Sequence, residues 1–142
     1  MGSPRRLLLS ACLVGAVLLG SACASEGDSA ESNPSALSTS PFLVGPDAFA
    51  RRIETPGVVT INVHTPDEGA IAGTDLTIPF DQVDRATDLP ADRDTPLAVY
   101  CRSGNMSIEA VDSLEAQGYT DIAELDGGFN AWSEGGRPLE PT

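Results

Sequence analysis

The sequence predicts an α/β fold, a single domain built on a parallel sheet flanked by helices. Short apolar runs rich in β-branched residues alternate along the chain with segments of helical spacing. A length of 142 residues has room for one such domain. The residues capable of chemistry, Cys101, His64 and Asp126, each sit just behind a strand-like run. In a parallel sheet that gathers them on one rim, at the carboxyl ends of the strands.

The amino-terminal part has a different character. Arg5 and Arg6 open it, Leu7 to Leu19 is mostly apolar, and Gly20-Ser21-Ala22-Cys23 supplies small residues ending in cysteine. The pattern resembles a bacterial lipoprotein signal, with residues 1–22 removed and Cys23 lipidated as the new N-terminus. Leu9-Ser10-Ala11-Cys12 has a similar local pattern, but only three apolar residues precede its small pair. Ser10, Gly15 and Gly20 interrupt the run and argue against a retained membrane helix. The expected location is therefore extracytoplasmic, anchored to the membrane through lipid on Cys23, with secretion into solution as the alternative. Residues 23–40, rich in Ser, Ala, Glu, Asn and Pro, read as a flexible tether. The folding domain is expected over residues 41–142.

Within that domain, Phe42-Leu43-Val44 is expected to form a short edge strand. A helix follows through Ile53, with Pro46 at its first position, Asp47 in its first turn, and Phe49 and Ile53 on one face. Residues 58–63 form the strongest strand signal, apolar enough for burial on both faces. Residues 75–79 read as a short strand ended by Pro79, and residues 80–89 as one or two irregular helical turns. Leu97–Tyr100 is a compact strand. A helix is expected from Ser107 to Gln117, with Ile108, Val111 and Leu114 at helical spacing and Gly118 as a left-handed cap. Residues 122–125 form the last strand. Gly127 and Gly128 permit a tight turn into a final helix that Trp132 packs onto the sheet.

Between the fourth strand and its helix lies Cys101-Arg102-Ser103-Gly104-Asn105-Met106-Ser107. A strand–loop–helix turn of this kind aims backbone N–H groups and a helix N-terminus at its centre, which favours anions. A thiol at its start, beside an arginine, is pushed toward the nucleophilic thiolate. A buried structural cysteine is the competing reading.

This loop resembles the active-site loop of the rhodanese family of sulfurtransferases, Cys-Arg-x-Gly-x-Arg-Ser. The resemblance runs from about Pro46 to Pro138 and includes Asp126-Gly127-Gly128-Phe129-Asn130-Ala131-Trp132, similar to the family's closing Asp-Gly-Gly-x-x-x-Trp. It implies a rhodanese-like fold with Cys101 as the catalytic nucleophile. Residues Arg102, Ser103, Gly104, Asn105, Met106 and Ser107 would then be the substrate-binding residues. Four positions depart from the pattern. Met106 replaces the second loop arginine, Asn62 an aspartate, His64 an arginine and Ala70 a histidine. Glu68 is retained. His64, the one histidine, is read as a strand-end hydrogen-bonding residue, because transfer to a preformed thiolate needs no general base.

The resemblance implies a small-molecule sulfur donor, a thiol or cyanide-like acceptor, and no cofactor. The sequence displays no metal-ligand cluster, and a monomer is expected. The formal net charge is −13, with no lysine and eight arginines, and loss of residues 1–22 removes two of those arginines. Such acidity argues against nucleic acid and against an anionic membrane surface as partners, and it repels anionic donors at long range. A cysteine phosphatase would need an arginine six residues after the cysteine, where Ser107 stands. The remaining alternative is a catalytically weak binding or thiol-sensing module.

Overall fold

The computed structural model describes residues 42–142; the signal, tether and Cys23 readings fall outside them. Five strands form one sheet, β1 (Leu43–Val44), β2 (Val59–Asn62), β3 (Leu76–Thr77), β4 (Leu97–Tyr100) and β5 (Ile122–Leu125), in the order β1-β5-β4-β2-β3. Every pairing is parallel. Central position explains composition. β4 lies between β5 and β2 and is wholly buried, as its Leu-Ala-Val-Tyr sequence requires.

Helices cover both faces. On one, α2 (Asn105–Ala116) and a 3₁₀ helix (Phe80–Arg85) enclose Ile61, Val99, Cys101, Val111 and Leu114. On the other, α1 (Pro46–Ile53) and α3 (Gly128–Glu134) enclose Phe49, Tyr100, Leu125, Phe129 and Trp132. Phe49 meets both Tyr100 and Trp132 edge to face. The indole N–H of Trp132 donates to the Pro138 carbonyl, so its polar end is satisfied while its body packs. Past α3 the chain returns to pair Glu140 with Ala70 through two backbone hydrogen bonds of 2.7 and 2.9 Å.

The elements follow the sequence closely; several ends shift by a residue or more, and three differences stand out. β2 closes at Asn62 rather than residue 63, although the Val63 N–H still donates to the Tyr100 carbonyl. β3 is two residues long rather than five. The third is functional in consequence: α2 begins at Asn105, not Ser107. Gly104, at φ +100°, turns the chain directly into the helix, so Ser107 sits inside the first turn rather than capping it.

Candidate active site

Cys101 follows β4 immediately, and its thiol is buried, 1% exposed, at the floor of a loop ending at Gly104. The Gly104 N–H points back at Cys101 Sγ, 3.1 Å away. That amide, at the mouth of α2, stabilises negative charge on the sulfur. The loop is held from outside by α3. The N–H groups of Phe129 and Asn130 donate to the carbonyls of Cys101 and Arg102 at 2.9 and 3.0 Å. Such an approach leaves no room for a side chain at Gly128, where a Cβ would lie 2.4 Å from the Cys101 carbonyl oxygen.

The rim beside the thiol is organised by Glu68. One of its carboxylate oxygens lies 3.1 Å from Arg102 Nη1 and the other 2.9 Å from His64 Nε2. His64 is fixed in turn: its backbone N–H donates to Asn62 Oδ1, and its ring stands edge-on to Phe129. Asn62 also donates from Nδ2 to the Gly69 carbonyl. The strand-end position expected for His64 is thus filled, with Glu68 as its partner. Arg102 is already engaged by a carboxylate and is half exposed. Next to this group, Asp67 accepts from the Thr142 hydroxyl and the Gly69 N–H, which hold its carboxyl below the usual range.

The other loop residues divide by depth. Ser103 and Asn105 are exposed, Met106 packs partly against the α2-side core, and Ser107 is fully buried. Ser107 lies beneath the thiol rather than at the mouth, with Oγ 3.5 Å from Cys101 Sγ and 2.9 Å from the Gly104 carbonyl oxygen. Asp126 stands exposed at the end of β5, its N–H donating to the Val44 carbonyl. The structure therefore brings Cys101, Arg102, Gly104, Ser107, Glu68 and His64 together on one rim. Among the described residues no three His, Cys, Asp or Glu side chains converge in a way that would hold a metal ion.

Two residues at the site escaped sequence reasoning. Glu124, in β5, is completely buried and its Oε1 lies 2.7 Å from Ser107 Oγ. Burial pushes its carboxyl above the ordinary range, against the lowering effect of that hydrogen bond. An acid inside an interior strand, with no basic residue near it in sequence, was the available signal. Tyr100 is the second. Its hydroxyl accepts from the Ile71 N–H at 2.9 Å and lies 2.7 Å from Thr74 Oγ1, pinning the segment after β2 to β4. Burial raises its phenol in spite of those bonds.

Comparison with known proteins agrees with this architecture. Residues 45–135 match the rhodanese-like domain. A sulfurtransferase of Allochromatium vinosum is 36% identical over 93 residues, covering 63% of this chain and 84% of its own. The thiosulfate sulfurtransferase GlpE of Pseudomonas fluorescens is 32% identical over 88 residues, covering 61% and 81%. Among solved structures, a rhodanese-like domain from Anabaena superposes with a TM-score of 0.61 at 26% identity, over 71% of this chain and 80% of that one. A rhodanese-related protein from Thermoplasma volcanium gives 0.57 at 28% identity, over 68% and 94%. By sequence match and by fold, the chain belongs to the rhodanese-like family.

Proposed function

We propose that the domain is a sulfurtransferase in which Cys101 carries sulfane sulfur as a persulfide and hands it to a thiophilic acceptor. The observation that carries this reading is the Gly104 N–H directed at Cys101 Sγ from 3.1 Å. In the first half-reaction the thiolate attacks the outer sulfur of the donor. A new S–S bond forms, the donor's own bond to that sulfur breaks, and its remainder leaves with the electron pair. In the second, an acceptor thiolate or cyanide takes the outer sulfur and Cys101 leaves as thiolate. The inner and outer sulfurs of the persulfide share negative charge, which loop amides stabilise without side-chain rearrangement.

Three features favour a donor with little charge. Arg102 is already paired with Glu68, Met106 presents an apolar thioether where the family carries arginine, and the protein is strongly acidic. The near-complete burial of the thiol favours a slender terminal sulfur. A low-molecular-weight persulfide meets both requirements better than thiosulfate does.

Exposure of the full-length protein to a persulfide donor, followed by mass spectrometry, should show an adduct of one sulfur atom on Cys101. Cys101→Ser should lose both the adduct and any transfer to cyanide while keeping its circular dichroism spectrum. Absence of sulfur uptake by the wild type would favour a binding or thiol-sensing module instead. The setting of the reaction is proposed to be extracytoplasmic, on a lipid carried by Cys23. The support for this is the apolar run and small-residue stretch before that cysteine. Cys23→Ala should move the protein from the membrane fraction to the soluble one or arrest its processing, and unchanged fractionation and mature mass would refute the anchor.

A further inference from the structure

The transfer chemistry assigns no part to Glu124, yet one hydroxyl, that of Ser107, links it to the thiol. Its side chain is 0% exposed, Oε1 is hydrogen-bonded to Ser107, and Oε2 has no hydrogen-bonding partner among the described residues. Ser107 is equally buried and bridges the carboxyl to the thiol, 2.7 Å on one side and 3.5 Å on the other. Cys101 itself is only 1% exposed, so bulk water offers its proton a poor exit.

We propose that Glu124 is a positioning residue that takes the Cys101 thiol proton through the Ser107 hydroxyl, so that thiol and carboxyl share one negative charge. With Glu124 ionised, Ser107 donates to Oε1 and the thiol donates to Ser107 Oγ. Two protons then move in the same direction, from Sγ to Oγ and from Oγ to Oε1. The S–H bond and the original Oγ–H bond break, while a new Oγ–H bond and an Oε1–H bond form. The product is a thiolate that accepts from Ser107, above a neutral acid that donates to Ser107. No oxidant, reductant or co-reactant is consumed.

The surroundings set the direction. Among the described residues, an ionised carboxylate at Glu124 finds one hydrogen-bond donor and no salt bridge, and it has no water-facing surface. Asp112 on α2 and Asp126 at the end of β5 both add repulsive potential there. Neither residue of β1 is charged, and β4 contributes no ionisable group on that face other than the Cys101 that follows it. The sulfur, by contrast, has the Gly104 amide to stabilise its charge. Negative charge therefore moves from where the fold solvates it poorly to where the fold solvates it well.

The proposal rests on Cys101 being the reacting group, but its test reads proton occupancy and not sulfur transfer. The rate of Cys101 alkylation by iodoacetamide, measured on the full-length protein by mass spectrometry across pH, should show two inflections. Glu124→Gln keeps the shape and a donor toward Ser107 but removes the acceptor. It should show one inflection, with the upper rise lost and full reactivity reached about one pH unit lower. Identical profiles for the two proteins would overturn the proposal, because a carboxyl serving only to pack would not move them. Should the glutamine variant misfold, ¹³C NMR of the Glu124 carboxyl decides. Its two-step titration in the wild type should become a single step in Cys101→Ser, and superimposable curves would overturn the proposal. Two inflections in a protein that takes up no sulfur would support the relay and overturn the transfer reading.

Discussion

A carboxyl enclosed by a sheet and a helix, with a single hydroxyl for company, is easier to keep neutral than charged, and that preference has a thermodynamic signature. The folded-state value for Glu124 lies above the ordinary glutamate value of 4.5, because burial penalises the charged form. As pH rises from there, the unfolded chain releases this proton while the folded domain retains it. Protonation of Glu124 thus supports the fold below that range, and the support is lost as pH rises through the folded-state value. Glu124→Gln has no such proton. Urea unfolding from about pH 4.5 to about pH 8 should show the wild type losing stability relative to the variant as pH increases. A constant difference across that range would mean that Glu124 titrates as it does in the unfolded chain.

At the scale of elements, the approach of α3 to the cysteine loop depends on a missing atom. Gly128 has φ +59°, and a methyl carbon there would fall within 2.6 Å of three backbone atoms of Cys101 and Arg102. Gly136, at φ +77°, has open space for 4 Å around the place a methyl carbon would take, and so isolates the conformational cost. Gly136→Ala should cost about 1 kcal/mol, from left-handed backbone alone. Gly128→Ala should cost more, lowering the melting temperature by roughly 10 °C, and should slow Cys101 alkylation as the loop shifts. Equal melting temperatures for the two variants would show that the loop yields freely.

The strand runs and the paired glycines were legible because they are local. A β-branched run or a Gly-Gly turn states its conformation without reference to distant residues. The start of α2 was not. Ser107 has the character of a helix cap, but the positive φ of Gly104 supplies the turn earlier in the chain and draws the serine inward. The Glu124–Ser107 contact was hidden for a different reason, since it joins residues 17 positions apart across two elements. Its meaning depends on which face of β5 looks at α2.

The rim of strand ends is a property of the whole molecule. Alternation of strands and helices was enough to expect a parallel sheet, and with it a common edge for Cys101, His64 and Asp126. Strand order is not written in any local pattern. The order β1-β5-β4-β2-β3 places β2 beside β4, and so sets Glu68, from the segment after β2, against Arg102 after β4. Arg102, expected among the substrate-binding residues, is thus shared with a carboxylate that the sheet delivers to the same guanidinium.

That pairing makes the site respond to dissolved salt. Arg102 is 54% exposed and Glu68 38%, so mobile ions reach both partners. The screening length shrinks from about 30 Å at 0.01 M to about 8 Å at 0.15 M, weakening both the pair and the repulsive field of the acidic surface. An anion arriving at high ionic strength thus meets a lower barrier and a looser arginine. Most enzymes that attract a charged substrate slow as salt is added; here kcat/KM for thiosulfate should rise several-fold over that range of inert salt. Turnover of an uncharged sulfane-sulfur donor, such as a neutral organic polysulfide, is free of long-range repulsion and should stay nearly level. Parallel responses from the two donors would show that Arg102 is no less available in dilute buffer than in brine. With the expected divergence, salinity itself would select which sulfur compound the domain can use.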